Sequence, residues 1–332
     1  MSSRVFVTGG SGFIGSHTVA ALRRRGHEVT VLARSPEKLD SVLGALGCDA
    51  DVAQGDMTDA SVVAEAMRGC DGVIHAAGSI GVDGGSGPVD TSNVDGVRTV
   101  IGTAVELGVD SIVYTSSITA HLPSTDTVLT TASPLVEPLS SYGASKREAE
   151  ELVRGWQDGG APIATFTIGG VYGPISPHLD GSFAAIIGAL GGFMVVPPGG
   201  LGVVDVRDLA EMLASAVAAA DGPRRFMAGG RYQSWDDWTT TLADAAGVYI
   251  ARHVVTVEEM IEMGRQFDEQ RAAGGPPAPL SEEAAVIMTA GVPTDDTATL
   301  EALGCSYRPT AATFRDTVDY LRAAGHLAEP PT

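Results

Sequence analysis

The chain has 332 residues, 44% hydrophobic and 19% charged, which is long enough for a sizeable core and too balanced for a collagen-like, low-complexity or disordered polypeptide. Its 21 Lys and Arg against 41 Asp and Glu leave a formal charge of −20, which repels phosphate backbones and anionic lipid and argues against nucleic-acid and membrane partners. Three scattered cysteines, Cys48, Cys70 and Cys305, form neither a metal-ligand spacing nor a disulfide framework, so no metal site is expected and a reducing cytoplasm fits.

The opening run RVFVTGG is short, apolar and β-branched and ends in glycines, and a helical pattern over 13–25 stops at Gly26. A second strand over 27–33 and a polar helix over 35–46 follow, then a strand over 51–54, a helix over 61–67 and a strand over 72–77. The alternation continues with a helix near 89–107, a strand over 111–115, a helix over 142–156 and a strand over 163–168. Repeated βαβ units build a parallel sheet with helices on both faces, so the expected fold is a doubly wound Rossmann α/β fold whose ligands bind at the carboxyl ends of the strands.

Past Gly169 the pattern loosens into Gly and Pro loops, with a helix over 183–190, a strand over 203–206, a helix over 207–220 and further helices over 234–246, 257–273 and 281–290. This predicts a dinucleotide-binding domain over 1–168 plus 203–222 and a smaller interleaved substrate lobe over 169–202 plus 223–332. Residues 181–204 carry no charge, but Pro197 and Pro198 break the stretch, and the apolar part over 183–196 is shorter than the roughly 20 residues a bilayer demands. It reads as buried helix plus loop. No basic segment followed by an apolar run precedes the first strand, so an export signal is not expected.

In TGGSGFIGSH, Gly9, Gly12 and Gly15 stand between the first strand and its helix, followed or separated by Phe13 and Ile14. Residues without side chains let the backbone approach a pyrophosphate, and the helix N-terminus offers unpaired N–H donors and a partial positive charge. At the end of the second strand, where an acid would accept a hydrogen bond from the NAD ribose, the sequence has Arg34, then Ser35, with Lys38 a turn later. A guanidinium there pairs with a 2′-phosphate, which makes NADP(H) the better fit and leaves NAD(H) as the alternative. Asp56, with Met57 beside it, is placed to meet the adenine amino group or to cap the helix after it.

Ser116 and Ser117 end the fifth strand, and YGASK opens the next helix with Tyr142 and Lys146 one turn apart on a shared face. Here the sequence resembles the extended short-chain dehydrogenase/reductases, the NAD-dependent epimerase/dehydratase group, through TGGSGFIG, GDMTD, VIHAAG, NVDG, VYTSSITA, YGASK, GGVYGP and VVDVRDLA. The resemblance implies Tyr142 as general acid/base, Lys146 as its electrostatic partner and ribose ligand, and Ser117 as the hydroxyl that polarises a substrate carbonyl. It also implies Asn93 as support for the proton relay, Thr115, Ala76, Ala77 and Gly78 along the cofactor cleft, and Gly170 and Val171 facing the nicotinamide. Ser79, Thr119, His121, Tyr172 and Phe183 are the candidate substrate contacts, His121 being either near the substrate mouth or a solvated loop residue. A homodimer through the helices near 93–107 and 142–156 is what relatives resemble.

A free tyrosine titrates near 10, so it protonates a carbonyl well, and an adjacent ammonium favours its anion. Many nucleotide-sugar members of the family carry an Arg and an Asn before VYGP, and here Thr167 and Gly170 stand in those places. That loss points to an NADP(H)-dependent reductase of aldehydes or ketones, resembling the dihydroflavonol-reductase-like branch, with the apolar run over 183–196 as a wall for a small-molecule substrate. The alternatives are a nucleotide-sugar epimerase or dehydratase that retains NAD, and a dinucleotide-sensing regulator without catalysis.

Overall fold

Short β-branched runs alternate with helices whose starts are fixed by side-chain caps: Ser35, Asp59 and Ser140 each accept a backbone N–H of the first turn that follows. The computed structural model describes residues 2–79, 91–138, 140–218, 222–275 and 280–328. In chain order the first part comprises β1 (Arg4–Thr8), α1 (Phe13–Arg24), β2 (Glu28–Ala33), α2 (Pro36–Ala45), β3 (Asp51–Gln54), α3 (Ala60–Met67), β4 (Gly72–His75), α4 (Ser92–Glu106), β5 (Ser111–Ser117), α5 (Ser141–Asp158) and β6 (Ile163–Ile168). Then come β7 (Gly170–Tyr172), α6 (Gly181–Leu190), β8 (Phe193–Val196), β9 (Gly200–Asp205), α7 (Val206–Ala218), β10 (Arg224–Ala228), β11 (Arg231–Ser234), α8 (Trp235–Ala246), β12 (Ala251–Val254), α9 (Val257–Ala272), α10 (Glu282–Ala290), α11 (Thr297–Leu303) and α12 (Thr310–Ala323).

Seven strands form one parallel sheet in the order β10-β6-β5-β4-β1-β2-β3. Side chains alternate across it: Val5 and Val7 of β1 join a core with α1 and α7, whereas Phe6 joins a second core with α3, α4 and α5. Both faces of the sheet are therefore covered, and every residue of β5 and β6 is buried. Each fully buried Val, Leu or Phe in these layers contributes roughly 1.5–3 kcal/mol of transfer free energy. The fold is the expected doubly wound Rossmann-like α/β fold, and its strands end along one edge, where the chemistry-bearing loops gather.

The expected lobe boundaries shift at two strands. β10 was assigned to the substrate lobe, yet it closes the main sheet beside β6, with Phe226 opposite Phe166 and ring centroids 4.8 Å apart. Its leading Arg224 and Arg225 conceal the strand in the sequence. The strand expected over 203–206 is β9, which lies outside that sheet between β7 and β11 in a three-stranded one. The uncharged stretch over 181–204 resolves into α6, β8 and β9, so its second half is strand and not loop, with β8 paired to β12. Among the described residues no helix is long and apolar enough to cross a membrane. The part of the helix expected from 89 lies partly outside the described residues, and α4 begins at Ser92.

Candidate active site

The glycine turn is built by close backbone approach. Gly9 has φ +78°, and a Cβ there would fall 2.5 Å from the Ala77 nitrogen and 2.6 Å from the Ala76 carbonyl carbon, so the turn rests on the end of β4. A Cβ on Gly15 would fall 2.2 Å from the Gly9 oxygen. Gly12 is the N-cap of α1, provides no side-chain cap, and no acid stands in the first turn. The first intrahelical bond runs from the Ser16 N–H to the Gly12 oxygen at 3.0 Å, which leaves the amides of Phe13, Ile14 and Gly15 ahead of the helix ladder. These donors and the positive helix end suit a pyrophosphate, so the residues present fit a dinucleotide. Phe13 offers only its amide, because its ring is buried edge-on against His17 and Phe183.

At the end of β2 Arg34 is exposed and forms no hydrogen bond or ion pair among the described residues. Ser35 is committed to capping α2. Asp56 accepts from the Thr58 N–H at 2.9 Å and the Thr58 hydroxyl at 2.8 Å, which hold its carboxyl below the usual range with help from Arg34. The cap of α3 is Asp59, so the capping alternative for Asp56 falls away. Met57 is half-buried, its thioether against Gly96 of α4.

Behind β4 three predicted residues meet. A Cβ on Gly78 would lie 3.1 Å from Asn93 Oδ1 and 3.3 Å from Lys146 Nζ. Asn93 is fixed on both sides: its Oδ1 accepts the Ser79 N–H at 2.9 Å, and its Nδ2 donates to the Ser79 oxygen and to Ser145 Oγ, each at 3.0 Å. Lys146 is buried, donates to the Thr115 carbonyl at 3.4 Å, and lies 5.9 Å from the Tyr142 ring centroid and 6.0 Å from that of Tyr114. The hydroxyl of Thr115 in turn donates to the His75 carbonyl. Burial lowers Lys146 to about 8, opposed by the carboxylate of Glu150.

Tyr142 sits half-buried in the first turn of α5. Burial pushes its phenol up to about 12, offset in part by the Ser117 side chain. Ser117, and not the expected Lys146, is the group that opposes desolvation, and the phenol is a proton donor at neutral pH. Ser117 Oγ accepts from the Thr119 hydroxyl at 2.9 Å and the Thr119 N–H at 3.3 Å, which leaves its own proton available. Thr119 lies in the 3₁₀ turn Ile118–His121 that carries the chain away from β5.

Three candidate substrate contacts are corrected. Phe183 is wholly buried with its ring centroid 5.2 Å from that of Phe13, so it is core beneath the glycine turn. Tyr172 is buried between Trp238 and Phe314. His121 is neither at a mouth nor solvated: it is 2% exposed, with Nδ1 2.9 Å from the Pro134 oxygen. Ser79 and Thr119 stay beside the site through Asn93 and Ser117. Gly170 and Val171 open β7 just beyond β6, and a Cβ on Gly170 would meet Leu201 Cδ1 at 2.5 Å. His75 is a buried imidazole bonded to the Thr8 hydroxyl at 2.7 Å, lowered to about 3 by burial and Lys146.

Sequence reading missed two carboxylates. Glu283 of α10 accepts the Tyr142 N–H at 3.0 Å and the Ser141 hydroxyl at 3.1 Å, a contact across 141 residues of chain that no local pattern announces. Glu150, one turn beyond Lys146 in YGASKREAE, is buried and accepts from Ser116, and its four-residue spacing from Lys146 was the available signal. Among the described residues no group of three His, Cys, Asp or Glu could hold a metal ion.

Residues 5–229 match the model of the NAD dependent epimerase/dehydratase family. The chain belongs to this family. Among curated relatives of this epimerase/dehydratase chain, a 3 beta-hydroxysteroid dehydrogenase/Delta 5-->4-isomerase of Mycobacterium tuberculosis is 38% identical over 121 residues, covering 34% of the chain and 31% of the relative. A UDP-glucose 4-epimerase of Neisseria meningitidis is 32% identical over 186 residues, covering 53% and 55%. A 4-hydroxy-2-methyl-3-oxo-4-farnesyl-3,4-dihydroquinoline-1-oxide ketoreductase of Stigmatella aurantiaca is 33% identical over 160 residues, covering 45% of each. The chain thus spans about a third to just over half the length of these relatives. Its fold is similar to that of a UDP-glucose-4-epimerase of Stenotrophomonas maltophila solved with NAD and formylated UDP-arabinopyranose, with a TM-score of 0.78 at 20% identity over 98% of this chain and 100% of that one.

Proposed function

We propose that the protein is an NADP(H)-dependent oxidoreductase that reduces an aldehyde or ketone, or oxidises the corresponding alcohol, through Ser117, Tyr142 and Lys146. The observation that carries this reading is a phenol kept in its acid form by burial, with Ser117 beside it and a buried ammonium behind its ring. When bound, the nicotinamide cofactor supplies or takes up the hydride at the carbonyl carbon. Tyr142 donates its proton to the carbonyl oxygen, and Ser117 donates a hydrogen bond to the same oxygen as charge develops there. Lys146 then faces the phenolate that remains. Across roughly 6 Å at an effective dielectric of ~20, that attraction is about 3 kcal/mol, or about two decades in rate. Asn93 holds the Ser79 backbone and Ser145, which keeps the wall beside Lys146 in place.

One feature favours reduction of an uncharged carbonyl compound: at position 170 Leu201 occupies the space that a larger side chain such as Asn would need. NADP(H) over NAD(H) is supported by the exposed, unengaged guanidinium of Arg34 and by the absence of an acid at the end of β2. The Neisseria meningitidis relative favours a second reading, a nucleotide-sugar epimerase with retained NAD. Following NADPH absorbance across a panel of apolar aldehydes and ketones tests the first. Epimerisation of UDP-glucose with no carbonyl turnover would reject it.

A further inference from the structure

We propose that Glu150 is a positioning residue for this site, whose buried carboxylate ties the carboxyl end of β5 to α5 and keeps the Lys146 side chain in its ammonium form. The inference rests on the reading of Tyr142 and Lys146 as the reacting pair. Glu150 is 1% exposed, and its two oxygens are used separately. Oε2 accepts from Ser116 Oγ at 2.5 Å, the residue between Thr115, whose carbonyl takes Lys146 Nζ, and Ser117. Oε1 accepts from Arg154 Nε at 2.9 Å and Nη2 at 2.6 Å, one turn further along α5. The carboxylate thus holds the strand end that carries Ser117 against the helix that carries Tyr142 and Lys146.

Among the described residues, the charged and titratable groups around the pair are the following. From α5, Lys146 meets Tyr142 and Glu150; from β5, the Tyr114 ring and the Thr115 carbonyl; from β4, His75. Glu150 meets Arg154 from α5, Ser116 and Tyr114 from β5, and His121 from the 3₁₀ turn, with His121 Nε2 3.8 Å from Oε1. His121 Nδ1 faces the Pro134 carbonyl, which can only accept, so that nitrogen carries a hydrogen. Nε2 has no hydrogen-bond partner among the described residues, so Arg154 is the only cation bonded to Glu150 there. The buried carboxylate is bonded to Arg154 and acts through space on Lys146, which is one turn earlier on the same face of α5, and a buried ammonium without a counter-charge gives up its proton. Gln at 150 could still accept from Ser116 but would carry no charge, which separates the electrostatic effect from the tie.

The chain has two lysines, Lys38 and Lys146, so Lys38→Arg leaves Lys146 as the single lysine. In that background, with 13Cε-labelled lysine, NMR reads the titration of Lys146 directly and needs no substrate. The midpoint near pH 8 should fall by about one unit with Glu150→Gln, by less with Glu150→Asp, and not at all with Glu151→Gln, the exposed partner of Arg147. A folded Glu150→Gln protein with the parent midpoint would overturn the proposal. If Glu150→Gln does not fold, Ser116→Ala carries the test: it leaves the charges in place but frees the carboxylate, and the midpoint should move the same way by less, an unmoved midpoint again overturning it. A shifted midpoint in a protein that reduces no carbonyl supports the role of Glu150 and rejects the reductase reading; turnover with an unmoved midpoint does the opposite.

Discussion

Replacing Gly15 by Ala adds one methyl group where α1 crosses the glycine turn. Its Cβ would lie 2.2 Å from the Gly9 oxygen and 2.6 Å from the Gly9 carbonyl carbon, backbone atoms that no rotamer change can move aside. Carbon–oxygen contacts ordinarily begin at about 3.3 Å, so the helix or the turn must retreat by roughly 1 Å. Overpacking of this size costs about 1–3 kcal/mol, and each kcal/mol lowers the melting temperature by about 2–4 °C in a domain of this class. The same retreat moves the amides of Phe13 and Ile14 off a bound pyrophosphate. Hydrogen bonds to charged groups contribute about 1.5–3 kcal/mol each, so NADPH affinity should fall at least about tenfold. Gly155→Ala is the matched control: it lies on the exposed side of α5 with nothing within 4 Å of its Cβ, and should gain about 0.5–1 kcal/mol without touching affinity. Thermal unfolding with an NADPH fluorescence titration reads both. A Gly15→Ala protein with the parent's Tm and affinity would refute the close-approach account of the turn.

Tyr142→Phe should lower kcat about 10²–10⁴-fold while leaving cofactor Kd within a small factor, because it removes the proton donor and keeps the ring; equal kcat for the two proteins contradicts the assignment. Arg34→Glu should raise the Kd for NADPH about tenfold or more and lower that for NADH, read by titrating both cofactors, and an unchanged ratio removes Arg34 from the 2′-phosphate site. With Lys146 lowered to about 8 and Tyr142 raised to about 12, the ammonium is lost first as pH rises. Reductase kcat should therefore hold below about pH 8 and fall about tenfold per unit above it, a limb that a profile rising through pH 9 would disprove.

The sheet was legible because its strands are short β-branched runs punctuated by glycines, and six of its seven strands lie in the regular βαβ portion before Gly169. The seventh, β10, was hidden by its two arginines, and β7, β8, β11 and β12 are three or four residues long, too short to show a period. The shared face of Tyr142 and Lys146 was readable from local spacing, since helix geometry places residues four apart on one face, whereas Asn93 came from the family resemblance of its NVDG segment. Phe183, Tyr172 and His121 were misplaced because burial depends on partners distant in sequence: Phe13, Trp238 with Phe314, and Pro134 with Glu150. Glu283 shows the same limit in reverse, reaching the helix that carries Tyr142 from a lobe whose helices have no recognisable motif.

In the proposed reaction, hydride leaves the cofactor for good and ends on the substrate carbon opposite Tyr142. NADPH carrying deuterium at the transferable nicotinamide position, incubated with an accepted aldehyde, tests this by mass spectrometry of the released alcohol. One deuterium per alcohol formed, one NADPH consumed per turnover, and loss of both in Tyr142→Phe is the predicted result. Unlabelled product with the cofactor still reduced, or conversion of a nucleotide sugar without net cofactor oxidation, would contradict it.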